Sequence, residues 1–426
     1  MKHTIRPLAA ALAFVALGAF AQANEPVKAQ AKANYQPMLD TLRDLVNIES
    51  GSDDREGLDR ISQLISDKLK ALGGQVEFIE PPADSYRMHD TPPKIGRMVR
   101  ATFKGTGTKK IMLIAHMDTV YRRGMLARQP FRVDAEKAYG LAISDDKQGV
   151  ATIIHTVAML NALGFKEYGT LTVLINADEE ISSPGSRHEL SRLGAEHDVT
   201  MSFEGSRANS DKLSLATSGV GSVLIHVKGK ASHSGSGPER GINSLVELAN
   251  QVLLMKDLGP RGDGMQLNWT GAHAGSGSHN VIPESAEAHA DVRVERADGF
   301  DRMEAAVKER MTKQIVKDAK VDLTFERRRP PLILSEAGRA VAQHAKKVYS
   351  ELGKTLVVDE TAEGGGTDAA FAALKTKNAV VERFGAQGYG GHTADDEWIL
   401  LNSVEPRLYL AARMVMDVSR GIVPAQ

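Results

Sequence analysis

Cysteine is absent from the 426 residues. That absence removes disulfides, thiolate zinc sites and cysteine nucleophiles together, so any metal must be held by His, Asp and Glu. An excess of one charge sign is missing as well. The chain carries 53 Lys plus Arg against 54 Asp plus Glu, which leaves no electrostatic footprint for nucleic acid. Beyond the N-terminus no apolar run approaches the ~20 residues that a membrane-spanning helix needs. Internal repeats and low-complexity tracts are also lacking. What is present is ordinary for a folded protein: 42% hydrophobic and 25% charged residues. One core would be overgrown at this length, because domains usually stop growing near ~250–300 residues, so two domains are expected.

The first residues read as an address. Lys2 and Arg6 precede an apolar run from Leu8 to Phe20, and Ala21-Gln22-Ala23 supplies the small residues that a signal peptidase accepts. A signal peptide over 1–23, cleaved after Ala23, is expected. The mature protein is then exported, to the periplasm in a bacterium, and free of the membrane.

Downstream, Leu58, Ile61, Ile65, Leu69 and Leu72 form a helical stripe that ends at Gly73-Gly74. Val76, Phe78 and Ile79 read as a strand. The runs Ile111–Ala115 and Leu171–Ile175 suit strands buried on both faces of a mostly parallel sheet, with a helical pattern over 149–163 between them. This order makes an α/β domain with helices on both faces of the sheet. From about Ser218 the texture changes. Strands near 223–227, 266–269, 286–295 and 321–325 alternate with helical runs over 243–255 and 300–316, the β-α-β-β-α-β order of a ferredoxin-like unit. After Pro330-Pro331 the buried-strand texture returns at Ala379-Val380-Val381 and closes on a helix over 404–418. The expected organisation is a catalytic α/β domain over 24–217 and 330–426, with a ferredoxin-like α+β lid and dimerisation domain inserted at 218–329.

Acidic or His-bearing clusters sit where the apolar runs end, and ligands in open α/β sheets gather at the carboxyl ends of strands. In His116-Met117-Asp118 residues two apart share a side, so Asp118 can orient the imidazole for a metal; a polar strand end is the bland alternative. Ser144-Asp145-Asp146-Lys147 is either a helix cap or a carboxylate bridging two cations. Asp178-Glu179-Glu180 places three acids in a row, which repel unless they are solvated or a cation sits among them. Glu204 follows a short apolar stretch, and His392 lies on a loop after Gly390-Gly391, where glycines permit close backbone approach.

Together with Lys212-Leu213-Ser214-Leu215, Gly229-Lys230-Ala231-Ser232-His233, Asn268-Trp269-Thr270 and Gly364-Gly365-Gly366-Thr367-Asp368, these clusters resemble the di-zinc exopeptidase family of glutamate carboxypeptidase, aminoacylase and succinyl-diaminopimelate desuccinylase. Order and spacing are similar along nearly the whole mature chain, and the likeness is strongest to bacterial glutamate carboxypeptidases of the carboxypeptidase G type. Gly205 and Ser144 depart from the residues common in relatives, proline and alanine, without altering a ligand.

The resemblance implies two zinc ions per subunit, which cobalt or manganese could replace given the O/N donors. His116 and Glu204 would hold one, Glu180 and His392 the other, with Asp145 bridging and a cis peptide bond after it. Asp118 would orient His116, and Glu179 would be the general base toward a hydroxide held between the metals. His233, by family analogy, would reach a partner subunit's site to stabilise the oxyanion, making the chain a homodimer through the lid. Substrate contacts would come from Asn280, Arg293, Arg329, Lys212, Gly366 and Thr367, with Arg329 gripping a carboxylate through its bidentate fork. The implied reaction is hydrolysis of the amide bond to a C-terminal amino acid, glutamate favoured, in a small-molecule or short-peptide substrate with a free C-terminal carboxylate. An N-acyl-amino-acid deacylase or dipeptidase shares these motifs. A periplasmic solute-binding protein is the alternative of another class, and it leaves the Asp178-Glu179-Glu180 cluster without a purpose.

Overall fold

Successive side chains of the strand Lys110–His116 enter different cores. Ile111, Leu113 and Ala115 join one buried cluster, while Met112 and Ile114 join another. The same division holds in Thr170–Asn176, where Leu171, Val173 and Ile175 face the first cluster and Leu174 the second. A strand buried on both faces has no room for polar alternation, which is why these runs are continuously apolar. The computed structural model in which this is seen describes residues 22–259, 263–393 and 395–423. The expected export signal falls on 1–23, and 1–21 of it lie outside the described residues.

The main sheet has six strands in the order Gln75–Ile79, Met98–Lys104, Thr170–Asn176, Lys110–His116, Val199–Ser202 and Ala379–Val381. The last four run parallel, and the first two are joined on through antiparallel pairings, so that Met98–Lys104 alone runs against the other five. One face is covered by the helices Glu25–Val46, Arg55–Ala71, Gln148–Ala162, Glu336–Ser350 and Leu401–Ser419, whose apolar residues fill the larger cluster. The helices Arg187–Glu196 and Ala369–Ala373 supply the other. Helix starts are fixed locally. Asn24, Asp54 and Ser335 each accept a hydrogen bond from a first-turn N–H. Truncating a fully buried residue such as Leu113 to alanine is expected to cost about 2–5 kcal/mol.

Strands Gly219–Lys228, Met265–Ala274, Ser285–Val294 and Lys320–Arg329 form a separate four-stranded antiparallel sheet. Counted along the chain its order is fourth, first, third, second, with helices Ser244–Leu254 and Gly299–Arg310 between the strands, as the ferredoxin-like reading expects. It has a core of its own, built on Val223, Ile225, Val227, Val292 and Phe300. The second of these helices ends at Arg310 rather than continuing to 316, and the fourth strand runs on to Arg329, so the strand itself delivers that arginine to the catalytic half. Among the described residues no helix is long and apolar enough to cross a membrane.

Candidate metal centre and active site

Strand ends and one loop converge on a point at the carboxyl edge of the parallel strands. His116 is the last residue of Lys110–His116, Glu179 and Glu180 follow Thr170–Asn176, and Glu204 follows Val199–Ser202. Asp145 lies in the turn before the helix Gln148–Ala162. His392 lies in the connection between the hairpin strands Gln387–Tyr389 and Trp398–Leu400.

The His116 Nε2 atom is 3.1 Å from Asp145 Oδ1 and 3.5 Å from Glu204 Oε1. The His392 Nε2 atom is 3.4 Å from Asp145 Oδ2 and 3.1 Å from Glu180 Oε2. Asp145 therefore turns one oxygen to each imidazole, as a bridging ligand must. Asp146 also has a donor oxygen near His116 and Glu204. However, its carboxylate accepts from Gln148 Nε2 at 2.8 Å and from the backbone N–H of His116 at 3.4 Å, so it braces the turn from behind while Asp145 faces the imidazoles. The peptide between the two aspartates is cis, as the resemblance implies. Gly390 has φ +85° and an added Cβ would stand 2.0 Å from Asp396 O, so only glycine lets the loop fold back here.

The electrostatics match the donor set. Burial pushes Glu179 well above the usual carboxylate range, and burial with Asp145 alongside raises Glu180 to about 7. Burial would raise Asp145 too, but the imidazoles of His116 and His392 outweigh it and hold that carboxyl far below its usual value. His392 is raised to about 11 by Asp145 and Glu180. Two imidazoles and three carboxylates facing one another fit two divalent cations. A cation at each position would find one imidazole, one terminal carboxylate and one oxygen of Asp145, a donor set that leaves room for a further ligand.

The three adjacent acids divide their tasks. Asp178 accepts from the N–H groups of Gly185 and Ser186 at 2.6 and 3.1 Å. Glu180 faces His392, and Glu179 pairs with Arg329, which also donates to the Glu179 carbonyl at 2.6 Å. A cavity of about 420 Å3 joins Asp145, Glu179, Glu180, Glu204 and His392 to Arg293, Arg329, Gly366 and Thr367.

Residues 112–417 match Peptidase family M20/M25/M40. Carboxypeptidase G2 of Pseudomonas sp. (strain RS-16) is 41% identical over 412 residues, 96% of each chain. The chain belongs to the M20 peptidase family. Solved structures agree in fold. The M20 family metallo-carboxypeptidase Sso-CP2 from Sulfolobus solfataricus superposes with a TM-score of 0.71 at 15% identity, covering 89% of this chain and 98% of that one. YXEP of Bacillus subtilis, a dinuclear metal binding peptidase, gives 0.62 at 19% identity, covering 92% and 99%. The chain is thus an enzyme, a metallopeptidase of this family, and the solute-binding alternative falls away.

Within this M20 chain several site residues stand differently from expectation. Asp118 lies close to His116, but Nδ1 is nearer the Asp118 carbonyl oxygen (3.1 Å) than its carboxylate (3.4 Å). The carboxylate instead accepts from the N–H groups of Glu179 (3.0 Å) and Glu180 (3.1 Å) and from Ser52 Oγ (2.8 Å), tying both glutamates to the His116 strand. The Arg329 fork is occupied by Glu179 rather than open, and Arg293 is engaged by Asp291 and the Gly364 carbonyl. Lys212 lies outside the cavity, buried and paired with Asp359 and Glu363. His233 and Asn280 also stand outside it, in the lid, where His233 pairs with Val281 and the N–H of Ser234 donates to the Asn280 carbonyl at 2.9 Å.

Sequence reasoning missed Glu397. It is fully buried, and it accepts from the N–H groups of Ala142, Ser144 and Asp145 at 3.1, 2.8 and 3.0 Å and from Tyr121 OH at 2.6 Å. It fixes the turn that carries Asp145. The only signal was an acid five residues past His392, next to a tryptophan. Arg383, which lines the cavity and donates to the Gly205 carbonyl at 2.7 Å, gave no sequence signal at all.

Proposed function

We propose that the chain is an exported di-zinc carboxypeptidase that hydrolyses the amide bond to a C-terminal amino acid, with glutamate favoured and folates or other N-acyl-glutamates as candidate substrates. The observation that carries this reading is the placement of Asp145 between His116 and His392 with Glu179 beside them at one cavity. The name of the relative, Carboxypeptidase G2, supports the substrate class.

Two bound zinc ions would supply Lewis-acid polarisation of the scissile carbonyl and a lowered pKa for the attacking water. Glu179 does the proton work. Burial raises its pKa and Arg329 opposes that rise, which poises the carboxyl to accept a proton as the C–O bond forms and to return it to the leaving nitrogen as the C–N bond breaks. Arg329, Arg293 and the backbone at Gly366 and Thr367 surround the place for the substrate carboxylate. Lys212 would act one step back, through Glu363 and the glycine turn that follows it. The lid, taken as residues 218–329 inserted into the catalytic domain, would pair two copies, and His233 and Asn280 would each serve the partner's site. The leader would be removed after Ala23, leaving Asn24 to cap the first helix.

The test is glutamate release by the mature protein from folate and from a panel of N-acyl amino acids, before chelation and after zinc is restored. Selective, zinc-restored release of glutamate is expected; zinc-dependent release of other amino acids would keep the mechanism and replace the substrate. Glu179→Gln is expected to retain metal while losing roughly 10²–10⁴-fold in kcat. A monomer by light scattering with full turnover would remove the dimer and the role of His233.

A further inference from the structure

The three arginines at the end of the strand Lys320–Arg329 do three different things. Arg327 pairs with Asp301 at 2.7 Å and Glu304 at 2.8 Å, both on the helix Gly299–Arg310. Arg328 reaches Asp90 of the catalytic half, its Nη2 atom 2.9 and 2.8 Å from the two carboxylate oxygens. Arg329 meets Glu179. Strand alternation alone would send Arg327 and Arg329 to the same face.

A bulge breaks that alternation. Against the strand Gly219–Lys228, Glu326 stands opposite Ser222, Arg327 opposite Gly221 and Arg329 opposite Val220, so Arg328 is one residue extra. Val220 and Ser222 are two apart and share a face, which puts Arg329 with Glu326 on the side opposite the buried Val223 and Ile225. The extra residue leans on the catalytic half. Its carbonyl accepts from Arg187 Nη2 at 2.7 Å, and its guanidinium spans from Glu326, at 3.3 Å, to Asp90.

Asp90 lies on the connection over residues 80–97, which joins Gln75–Ile79 to Met98–Lys104 without helix or strand. A connection this long in a compact domain usually has a task of its own. Here it lies along the lid strand. The His89 N–H donates to Glu326 Oε1 at 2.7 Å, His89 Nδ1 is 2.9 Å from Oε2, and Ser222 Oγ donates to the same carboxylate at 2.8 Å. The side chains of Glu326 and Arg328 are only 7% and 12% exposed, so a partner lost here leaves a charge with little water to replace it.

We propose that Asp90 and Arg328 are positioning residues for the reaction: the connection over 80–97 holds the bulge, and the bulge aims Arg329 at the place of the substrate carboxylate. The inference rests on the carboxypeptidase reading, in which Arg329 faces that carboxylate. His116, Asp145, Glu179, Glu180, Glu204 and His392 belong to the catalytic half and do not ride on the strand. Loosening the bulge therefore weakens the grip on the carboxylate and leaves the bond-breaking step in place, which reads as a change in KM rather than in kcat.

The test uses the full mature protein with zinc. Free glutamate is titrated by calorimetry, and KM and kcat are measured for N-acetyl-glutamate. Asp90→Asn and Arg328→Gln are each expected to weaken glutamate binding and to raise KM about three- to tenfold, with kcat within about twofold of the parent. The double variant should be no weaker than the worse single, because each residue acts through the other, and Asp90→Glu should keep most of the affinity. The peptide over 322–329 should exchange its amide hydrogens faster in Asp90→Asn at unchanged zinc content. Unchanged affinity and KM, additive losses in the double variant, a fall in kcat at constant KM, or no glutamate binding by the parent at millimolar concentration would overturn the proposal. Faster exchange without a change in affinity would do the same. The two readings fail separately. Glutamate release with a KM untouched by every variant keeps the carboxypeptidase and removes the positioning role. Glutamate affinity that follows the variants, without release from any N-acyl amino acid, does the reverse.

Discussion

The two candidate cation positions offer the same donor chemistry on very different supports. His116 ends a strand paired on both sides, its side chain is 2% exposed, and its second nitrogen is held at Asp118. His392 has the same kind of neighbours, an oxygen of Asp145 and a terminal glutamate, but it sits on a glycine loop at φ +68° with 58% of its side chain exposed. One position is built into the sheet, whereas the other is completed by a loop. Rigid placement limits what a ligand must lose on binding metal. The His116 position should therefore hold its ion more tightly, and the His392 position should exchange first.

Asp145→Asn should abolish this contrast, because it weakens the ligand common to both positions. Both ions are expected to leave on dialysis, with a fall in kcat larger than the roughly 10²–10⁴-fold assigned to Glu179. Two ions still bound per chain would mean that Asp145 bridges nothing. The histidines sharpen the contrast. His392→Ala should lose one ion with little change in thermal midpoint. His116→Ala should lose the other and also destabilise the fold by about 1–3 kcal/mol, since Asp118 and its neighbours stay buried with fewer partners. Equal destabilisation by both variants would remove the distinction between sheet and loop.

The same contrast governs what could be read from the sequence. Site residues at strand ends were legible because a buried strand announces itself as a continuous apolar run, and His116, Glu179, Glu180 and Glu204 each end or follow one. His392 was legible through its glycines. The strand Met98–Lys104 was not, because Arg100 interrupts its apolar pattern and finds its partners, Glu77 and Glu189, far along the chain. The small sheet around Tyr139, Tyr389 and Trp398 was equally hidden, as its strands are two or three residues long and too short to show a period. The pairing of Arg329 with Glu179 was out of reach for another reason: it joins residues from the two halves of the fold, and nothing local to either sequence records it.

Glu397 offers a smaller effect and a cleaner separation. In Glu397→Gln an amide replaces part of the acceptor that three N–H groups and Tyr121 require, so the turn under Asp145 loosens while every ligand remains. Metal affinity is expected to fall about 10–100-fold, with most of kcat recovered at saturating zinc. Because Glu397 acts on the bridging residue, both positions should weaken together. Weakening of the His392 position alone would show that Glu397 serves the hairpin loop instead.

An effect that leaves the site itself untouched lies in the framework behind the sheet-built position and appears only in acid. His155, on the helix that follows Asp145 and Asp146, is buried against the first helix, with Nε2 2.9 Å from Thr41 Oγ1 and Nδ1 3.0 Å from Asn34 Oδ1. Burial, with Lys68 nearby, pushes its pKa down to about 4. A histidine held neutral in the folded chain but free to protonate near ~6.5 when unfolded stabilises the fold fully above the higher value. That stability is lost as pH falls toward the lower one, to a limit of about 3 kcal/mol. Urea midpoints of the metal-free protein should therefore drop between pH 7 and pH 4.5, and His155→Gln, which cannot titrate, should drop less over the same interval. Parallel declines in the two proteins would place the acid sensitivity in the cluster of carboxylates and imidazoles at the site, and the framework helix would then be the more robust of the two supports.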